Sequence, residues 1–452
     1  MNNRIIVEDF GKIRRAELEV KPMMLFIGDN NSGKSYLMSL IWGLSCNSRK
    51  TLIRLTPEIM GTEVYQECES YIWEKITSTE NTERLEGIWF DKFLALLNVC
   101  AANNKNAFVS DIFNKKMQIG KLELQIAQNQ RIDISVEDIV YAHKNRQETK
   151  QYEKGMWVNL AGGGGVGMFI DEELLKDRGK YVETVLEALL ECWRGFFAGE
   201  NNVIFLPSSR TGFVLSKNML TNQVYENSFN MFSNDVPEIP SYFTKPVISF
   251  LKLLNNIGEK EPQENGLTQI AEFIEKELLH GEVTIQKALS TSFLYRPEKG
   301  EQTIQMYLAS AVVTEITPLY LLCKYSYRVL QLFIEEPEMC MHPQLQVVVA
   351  RILARMHHEG IPIAATTHSD IIIQHINNMI RVKKSSKKEE LMKKFQLEES
   401  DLLDADKIGL YQFVSRDETK SEVQELKAGE LGFETPTFSN AFEKMLEVTY
   451  EI

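Results

Sequence analysis

The sequence lacks an apolar run long enough to cross a bilayer. Its longest such stretches, residues 22–28 and 361–366, fall far short of the roughly twenty residues a transmembrane helix needs, so no membrane span is expected. The N-terminus, MNNRIIVEDFGKIRR, sets its first apolar run against acidic residues and has neither an apolar signal core nor a small-residue cleavage site, which makes the cytoplasm the expected location. Paired cysteines are missing as well. Cys46, Cys68, Cys100, Cys192, Cys323 and Cys340 are scattered, with no C-x-x-C pair and no His at zinc-ligand spacing, and read as reduced, packed thiols. Positive charge is scarce: 50 Lys and Arg stand against 63 Asp and Glu, a net charge of -13, which opposes the counterion release that dominates nucleic-acid affinity. The one basic run, Arg381, Lys383, Lys384, Lys387, Lys388, Lys393 and Lys394, is interrupted by Glu389 and Glu390 and reads as a solvated helix face or loop. No internal repeat of fixed period is visible.

What is present is 452 residues with 44% hydrophobic content, enough for two units or for one core with a large insertion. Residues 16–20 and 23–27 read as short strands feeding a glycine-rich turn and a helix over 34–44. Helical spacing dominates 51–97, alternation in QIGKLELQIA and RIDISVEDI predicts strands within 117–139, and AGGGGVG at 161–167 reads as a flexible turn. A helix is predicted over 171–197 and a strand over 202–206. The pattern over 240–289 is helical again, broken by a polar stretch at 258–266. Strands over 329–335, 361–366 and 380–383 then alternate with helices over 344–357 and 369–378, which argues for a largely parallel sheet. The expected division is a core of 1–50 and 290–452. Within 51–289, edge strands near 108–140 and 202–212 belong to that core, with helical insertions near 51–97, 171–197 and 240–289.

The string Gly28-Asp29-Asn30-Asn31-Ser32-Gly33-Lys34-Ser35 fits G-x-x-x-x-G-K-[ST] without exception. Its glycines let backbone amides turn toward phosphates, the following helix N-terminus favours their charge, Lys34 reaches the β- and γ-phosphates, and Ser35 ligates Mg²⁺. Roughly three hundred residues on, LQLFIEEPE is an apolar strand ending in two carboxylates. In P-loop proteins the first such acid, here Glu335, holds the Mg²⁺ shell, and the second, Glu336, polarises the attacking water. A third strand, in IPIAATTHSD, ends at His368, where an imidazole can hydrogen-bond the γ-phosphate or the water.

These strings, GDNNSGKS, FIEEPEMCMHPQLQ and TTHSD in this order, resemble the ABC-type ATPases of the SMC, RecF and OLD group, in which EEPE is followed by two variable residues, L-H-P and a Gln. Met341 stands where Leu is common. FGKIRRAELEV resembles the family's opening strand, FLPSSRTG a turn written L-P-x-x-R-x-G, and GFETPTFSNAFEKMLEVTYEI the closing segment of its stand-alone members. The resemblance implies an α/β fold, an ABC-type P-loop core of mixed sheet and flanking helices, here with a large, mainly helical insertion. It implies ATP and Mg²⁺ as cofactors and slow hydrolysis to ADP and phosphate. It also implies a homo-oligomer in which the signature of one subunit meets the nucleotide of the other, head to tail. The best signature candidate is ASAVVTEITPLYLL, where Ser310 keeps the serine position and Val312 replaces the usual glycine.

No room follows His368 for the added nuclease domain of OLD proteins, and Asp404-Ala405-Asp406 lies in a loop where acids need no metal. The chain therefore looks most like the stand-alone ATPase subunits of bacterial anti-phage systems such as PARIS and Septu. That resemblance implies a separate effector, a nuclease or toxin, and a phage protein or DNA as trigger. The competing expectation is a RecF/SMC-like ATPase that clamps DNA in repair or maintenance. Arg210 is expected to make a supporting contact or a structural salt bridge. The helical blocks 51–97 and 240–289, with Tyr242, Phe243, Phe250, Leu253 and Leu254, are expected to offer docking surface or internal packing.

Overall fold

The computed structural model describes residues 3–46, 49–77, 82–127, 132–138, 154–160, 165–170, 177–194, 202–217, 243–257, 266–287, 291–300, 302–325, 329–415 and 419–435. Residues 161–164 of the expected glycine turn, most of the polar break at 258–266, Tyr242 and the closing segment beyond Thr435 lie outside them. Two units divide the chain: Met1–Val20 with Gly43–Phe197, and Lys21–Trp42 with Ala198–Ile452.

In the first unit, strand Arg4–Phe10 pairs antiparallel with Ile13–Glu19 on one side and Ile119–Gln125 on the other, setting Ile6 opposite both Glu17 and Glu123. The hairpin turns through Gly11 at φ +55. Helices Glu63–Thr77, Ile88–Phe113 and Gly179–Arg194 accompany these strands. Asn98 fixes the long helix to the sheet: its amide donates to the Leu124 carbonyl at 2.9 Å and its oxygen accepts from the Leu124 N–H at 2.9 Å. A separate antiparallel sheet runs in the order Thr82–Arg84, Ile132–Asp138, Lys154–Leu160, Gly165–Ile170.

The second unit is built on five parallel strands in the order Ile408–Ser415, Met23–Gly28, Ile363–Thr366, Gln331–Glu335, Val203–Leu206, with Ser421–Leu426 antiparallel beside the first. The strands carry apolar residues on both faces, as a sheet covered on both sides requires. On one face Leu25, Ile204, Leu332 and Ile363 pack with residues from helices Lys245–Asn256, Gly266–Ile274, Ala311–Lys324, Pro343–His358 and Asp370–Lys384. The other face is aromatic, with Phe26 against Tyr411 at 5.7 Å and Phe205 against Phe333 at 6.4 Å between ring centroids. A mixed α/β fold with a large sheet flanked by helices is therefore present. Among the described residues no helix is long and apolar enough to cross a membrane.

Several expectations are corrected. The mainly helical segment between the motifs also contains the four-stranded sheet, and residues 165–167 begin a strand rather than continue a turn. Residues 108–113 close a helix, and only 119–125 of the stretch 108–140 pairs with Arg4–Phe10. The block 240–289 ends in strand Gly281–Lys287. There the β-branched alternation of Val283, Thr284 and Ile285 prevails once the chain turns at His280, whose φ is +47. Residues 380–383 continue a helix. Ile372, Ile373, Ile376, Met379 and Ile380 keep helical spacing on a buried face, and Arg381, Lys383 and Lys384 suit a helix C-terminus. Phe250, Leu253 and Leu254 lie in the core of the second unit, where internal packing accounts for them. Cys46, Cys68, Cys100 and Cys323 are buried thiols, whereas Cys340 is exposed. The side chain of Cys192 is outside the described residues.

Candidate functional site

Every residue of the site belongs to the second unit and follows the carboxyl end of a parallel strand, where an open α/β sheet offers its crevice. Strand Met23–Gly28 is buried throughout and flanked on both sides, so the chain leaves it as a loop. That loop takes left-handed φ at Asn31 (+60) and Gly33 (+104), with Gly28 at +137. Space also demands glycine at 28, because a Cβ there would stand 2.7 Å from the Phe413 carbonyl oxygen. Asp29, Asn30 and Asn31 are exposed, while Ser32 and Lys34 are buried.

The Lys34 ammonium donates to the carbonyls of Gly28 at 2.9 Å and Asp29 at 2.7 Å and to the Ser32 hydroxyl at 3.4 Å. The loop thus wraps its own cation. Burial pushes Lys34 down to about 8, while Glu336 and Asp29 act the other way. Ser35 opens helix Lys34–Ser45, and its hydroxyl bonds the Glu335 carboxylate.

Glu335 ends its strand buried and accepts the Ser208 N–H at 3.1 Å. Burial raises its carboxyl, against the bonds from Ser35 and Ser208. Glu336 adopts φ +44, an uncommon conformation for a non-glycine residue. Its N–H donates to the Thr366 carbonyl at 3.0 Å and to the Thr366 hydroxyl at 3.2 Å. The Glu336 side chain, 32% exposed, reaches to 3.9 Å from His368 Nε2. Burial, followed by Lys34, lowers the His368 pKa, so the imidazole is neutral at pH 7 and can accept a hydrogen bond. Lys34, Ser35, Glu335, Glu336 and His368 are therefore brought together.

Ser310 is not joined to them by any bond among the described residues. It stands exposed at the N-terminus of helix Ala311–Lys324, where its hydroxyl accepts the Val313 N–H at 3.4 Å. Arg210 forms a buried ion pair with Glu315 at 2.9 Å. Asp404 is held by Lys383 at 2.9 Å and Lys407 at 3.6 Å. Two residues escaped sequence reasoning although they lie inside the quoted string. Glu338 Oε1 accepts from the Thr367 hydroxyl at 2.8 Å and the His368 N–H at 2.7 Å, while its Oε2 is buried without a partner among the described residues. Gln346 accepts from the Ser369 hydroxyl at 2.5 Å and donates to the Met341 carbonyl at 3.0 Å. Both tie the His368 loop to the acid loop. Their presence in the string was the signal; only the contacts reveal the role.

A loop of P-loop sequence, a cation inside it and two acids across from it make the arrangement expected of a P-loop nucleotide site. Residues 1–161 match the family model AAA_15, described as AAA ATPase domain. No curated protein matches the chain. Solved structures with similarity include an Smc head bound to the C-winged helix domain of ScpA (10% identity, TM-score 0.37, 94% of this chain and 97% of that one). A second is an Smc head domain with an extended coiled coil bound to the C-terminal domain of ScpA derived from Pyrococcus furiosus (9%, 0.36, 99% and 98%). A third is the SMC head domain from Thermotoga maritima (9%, 0.33, 94% and 100%).

Proposed function

We propose that the chain binds and hydrolyses ATP, and that its nucleotide state controls a separate effector, a nuclease or toxin, in bacterial anti-phage defence. The observation that carries the first part is the convergence of Lys34, Ser35, Glu335, Glu336 and His368 around one loop. The donor set fits magnesium with a nucleotide: one hydroxyl and one carboxylate, already bonded to each other, beside a buried ammonium. Ser35 and Glu335 would hold the ion, which when bound neutralises charge on the β- and γ-phosphates. Glu336 accepts the proton of the attacking water, and neutral His368 accepts a hydrogen bond that orients it. Ser310, exposed at a helix N-terminus, would meet the phosphates of a second copy in a head-to-tail oligomer.

The effector part rests on the likeness of GDNNSGKS, FIEEPEMCMHPQLQ and TTHSD to the stand-alone ATPase subunits of the PARIS and Septu kind. The test is ATP turnover and oligomeric state with and without DNA, followed by co-expression with the products of the flanking genes. Turnover without DNA and ATP-dependent retention of the neighbour support the proposal. Turnover strictly dependent on DNA, with no neighbour retained, points instead to a DNA clamp of the RecF/SMC kind.

A further inference from the structure

We propose that Arg210, locked by Glu315, is a positioning residue for the acid pair: it pins the peptide planes on both sides of Glu336 and ties them to the helix capped by Ser310. The inference rests on the reading of the site as one for ATP and magnesium.

Arg210 follows Ser209, whose φ is +56, and opens the helical stretch 210–217. Its side chain is 3% exposed and that of Glu315 is 0% exposed. All five guanidinium N–H donors are used. Nη1 donates to the Glu335 carbonyl at 2.6 Å and the Pro207 carbonyl at 2.9 Å. Nη2 donates to the Glu336 carbonyl at 3.1 Å and the Glu315 carboxylate at 2.9 Å. Nε donates to the Glu315 carbonyl at 3.2 Å. Glu315 is equally saturated: Oε1 also accepts the Arg210 N–H at 3.2 Å, and Oε2 accepts from the Thr211 N–H at 2.9 Å and the Thr211 hydroxyl at 2.8 Å.

A buried ion pair needs such saturation to exist, but neutrality alone does not require that two of five donors go to the carbonyls of the two acids. The carbonyl of Glu335 and the N–H of Glu336 belong to one peptide plane, held by Arg210 on one side and Thr366 on the other. The carbonyl of Glu336 belongs to the next plane, held by Arg210 again. Fixing both planes fixes φ and ψ of Glu336, and with them the direction of its side chain at the unusual φ of +44. The same turn aims the Glu335 carboxylate through the Ser208 N–H. Glu315 lies in the second turn of the Ser310 helix, so a movement of that helix must pass through the guanidinium to the acids. Only a planar fork performs this task, since an ammonium cannot bridge two successive carbonyls and a carboxylate in one plane.

The test compares wild type, Arg210→Lys and the neutral pair Arg210→Met with Glu315→Gln, which removes both buried charges together and leaves neither unpaired. Thermal melting, ADP affinity with magnesium and with EDTA, and ATP turnover are measured on each. The neutral pair is expected to melt below wild type, because the Glu315, Pro207, Glu335 and Glu336 carbonyls lose this donor, yet to stay folded and to bind ADP in EDTA unchanged. It should lose the tightening that magnesium confers, and its kcat should fall by about 100-fold with KM little altered, the scale of a misplaced catalytic group. Arg210→Lys should show the same split wherever it folds. A neutral pair with wild-type magnesium response and wild-type kcat would overturn the proposal and leave the ion pair as packing. Failure of the underlying reading shows elsewhere, as wild-type protein that binds no nucleotide in either condition.

Discussion

The chain builds two kinds of sheet. Strands Arg4–Phe10 and Ile13–Glu19 mix buried apolar residues with exposed or half-buried charged ones and pair antiparallel, so that opposite charges such as Arg4 and Glu17 meet at 2.9 Å. Strands Met23–Gly28, Val203–Leu206 and Ile363–Thr366 are buried at every position and run parallel. The first kind spends its polar residues along the strand. The second has none to spare there and releases them all at the carboxyl ends, where Lys34, Glu335, Glu336 and His368 gather. Chemistry and apolar sequence are thus two consequences of one arrangement: a parallel sheet covered on both faces is open only at its ends.

That contrast can be broken at graded cost. Glu336→Gln keeps the shape of a strand-end residue and removes only its basicity, so turnover should fall by about 100- to 10,000-fold while ATP stays bound and the oligomer is stabilised; wild-type turnover in stopped-time assays would refute the assignment. Lys34→Ala should weaken ATP binding by about 100-fold or more by calorimetry, the worth of one or two hydrogen bonds to a charged group. In the sheets themselves, Leu332→Ala in a doubly covered strand should cost about 2–5 kcal/mol in denaturant titration. Arg14→Ala at an exposed position of the antiparallel hairpin should stay within about 0.5 kcal/mol, and equal costs would deny the distinction.

The pH response sharpens it further. Lys34 titrates at about 8 against its ordinary 10.5. Phosphates favour its charged form, so ATP affinity should be flat up to pH 8 and then fall by up to about tenfold per unit, a fall that Lys34→Arg removes. Stability of the ligand-free protein has the opposite sign. Between pH 8 and 10.5 the unfolded lysine holds a proton that the folded one has lost, so stability rises with pH across that window.

The site was legible because its pieces are local. A P-loop, an acid pair and a strand-end histidine each fit within a few residues, and buried strands announce themselves as short apolar runs. What escaped depends on contacts between distant segments. Glu338 and Gln346 matter through Thr367, His368 and Ser369, and the salt bridge expected of Arg210 had no legible partner until Glu315 and the Glu335 and Glu336 carbonyls met it. Helix and strand were confused at 380–383 and 281–287, where a few apolar residues fit either period and only the buried face of Asp370–Lys384 or the pairing with Thr291–Pro297 decides. The likeness to known ATPases covered the motifs and said nothing of the four-stranded sheet, whose strands carry no motif.

The parallel order also sets a timetable for synthesis. Strand Met23–Gly28 takes its neighbours from residues 363–366 and 408–413, so a ribosome must deliver almost everything described here before MMLFIG can be paired on either side. Until then a six-residue apolar segment and the loop beyond it travel unpartnered, the kind of exposed strand edge on which nascent chains aggregate. The loop at 28–35 is therefore translated long before the strand that carries it finds either neighbour.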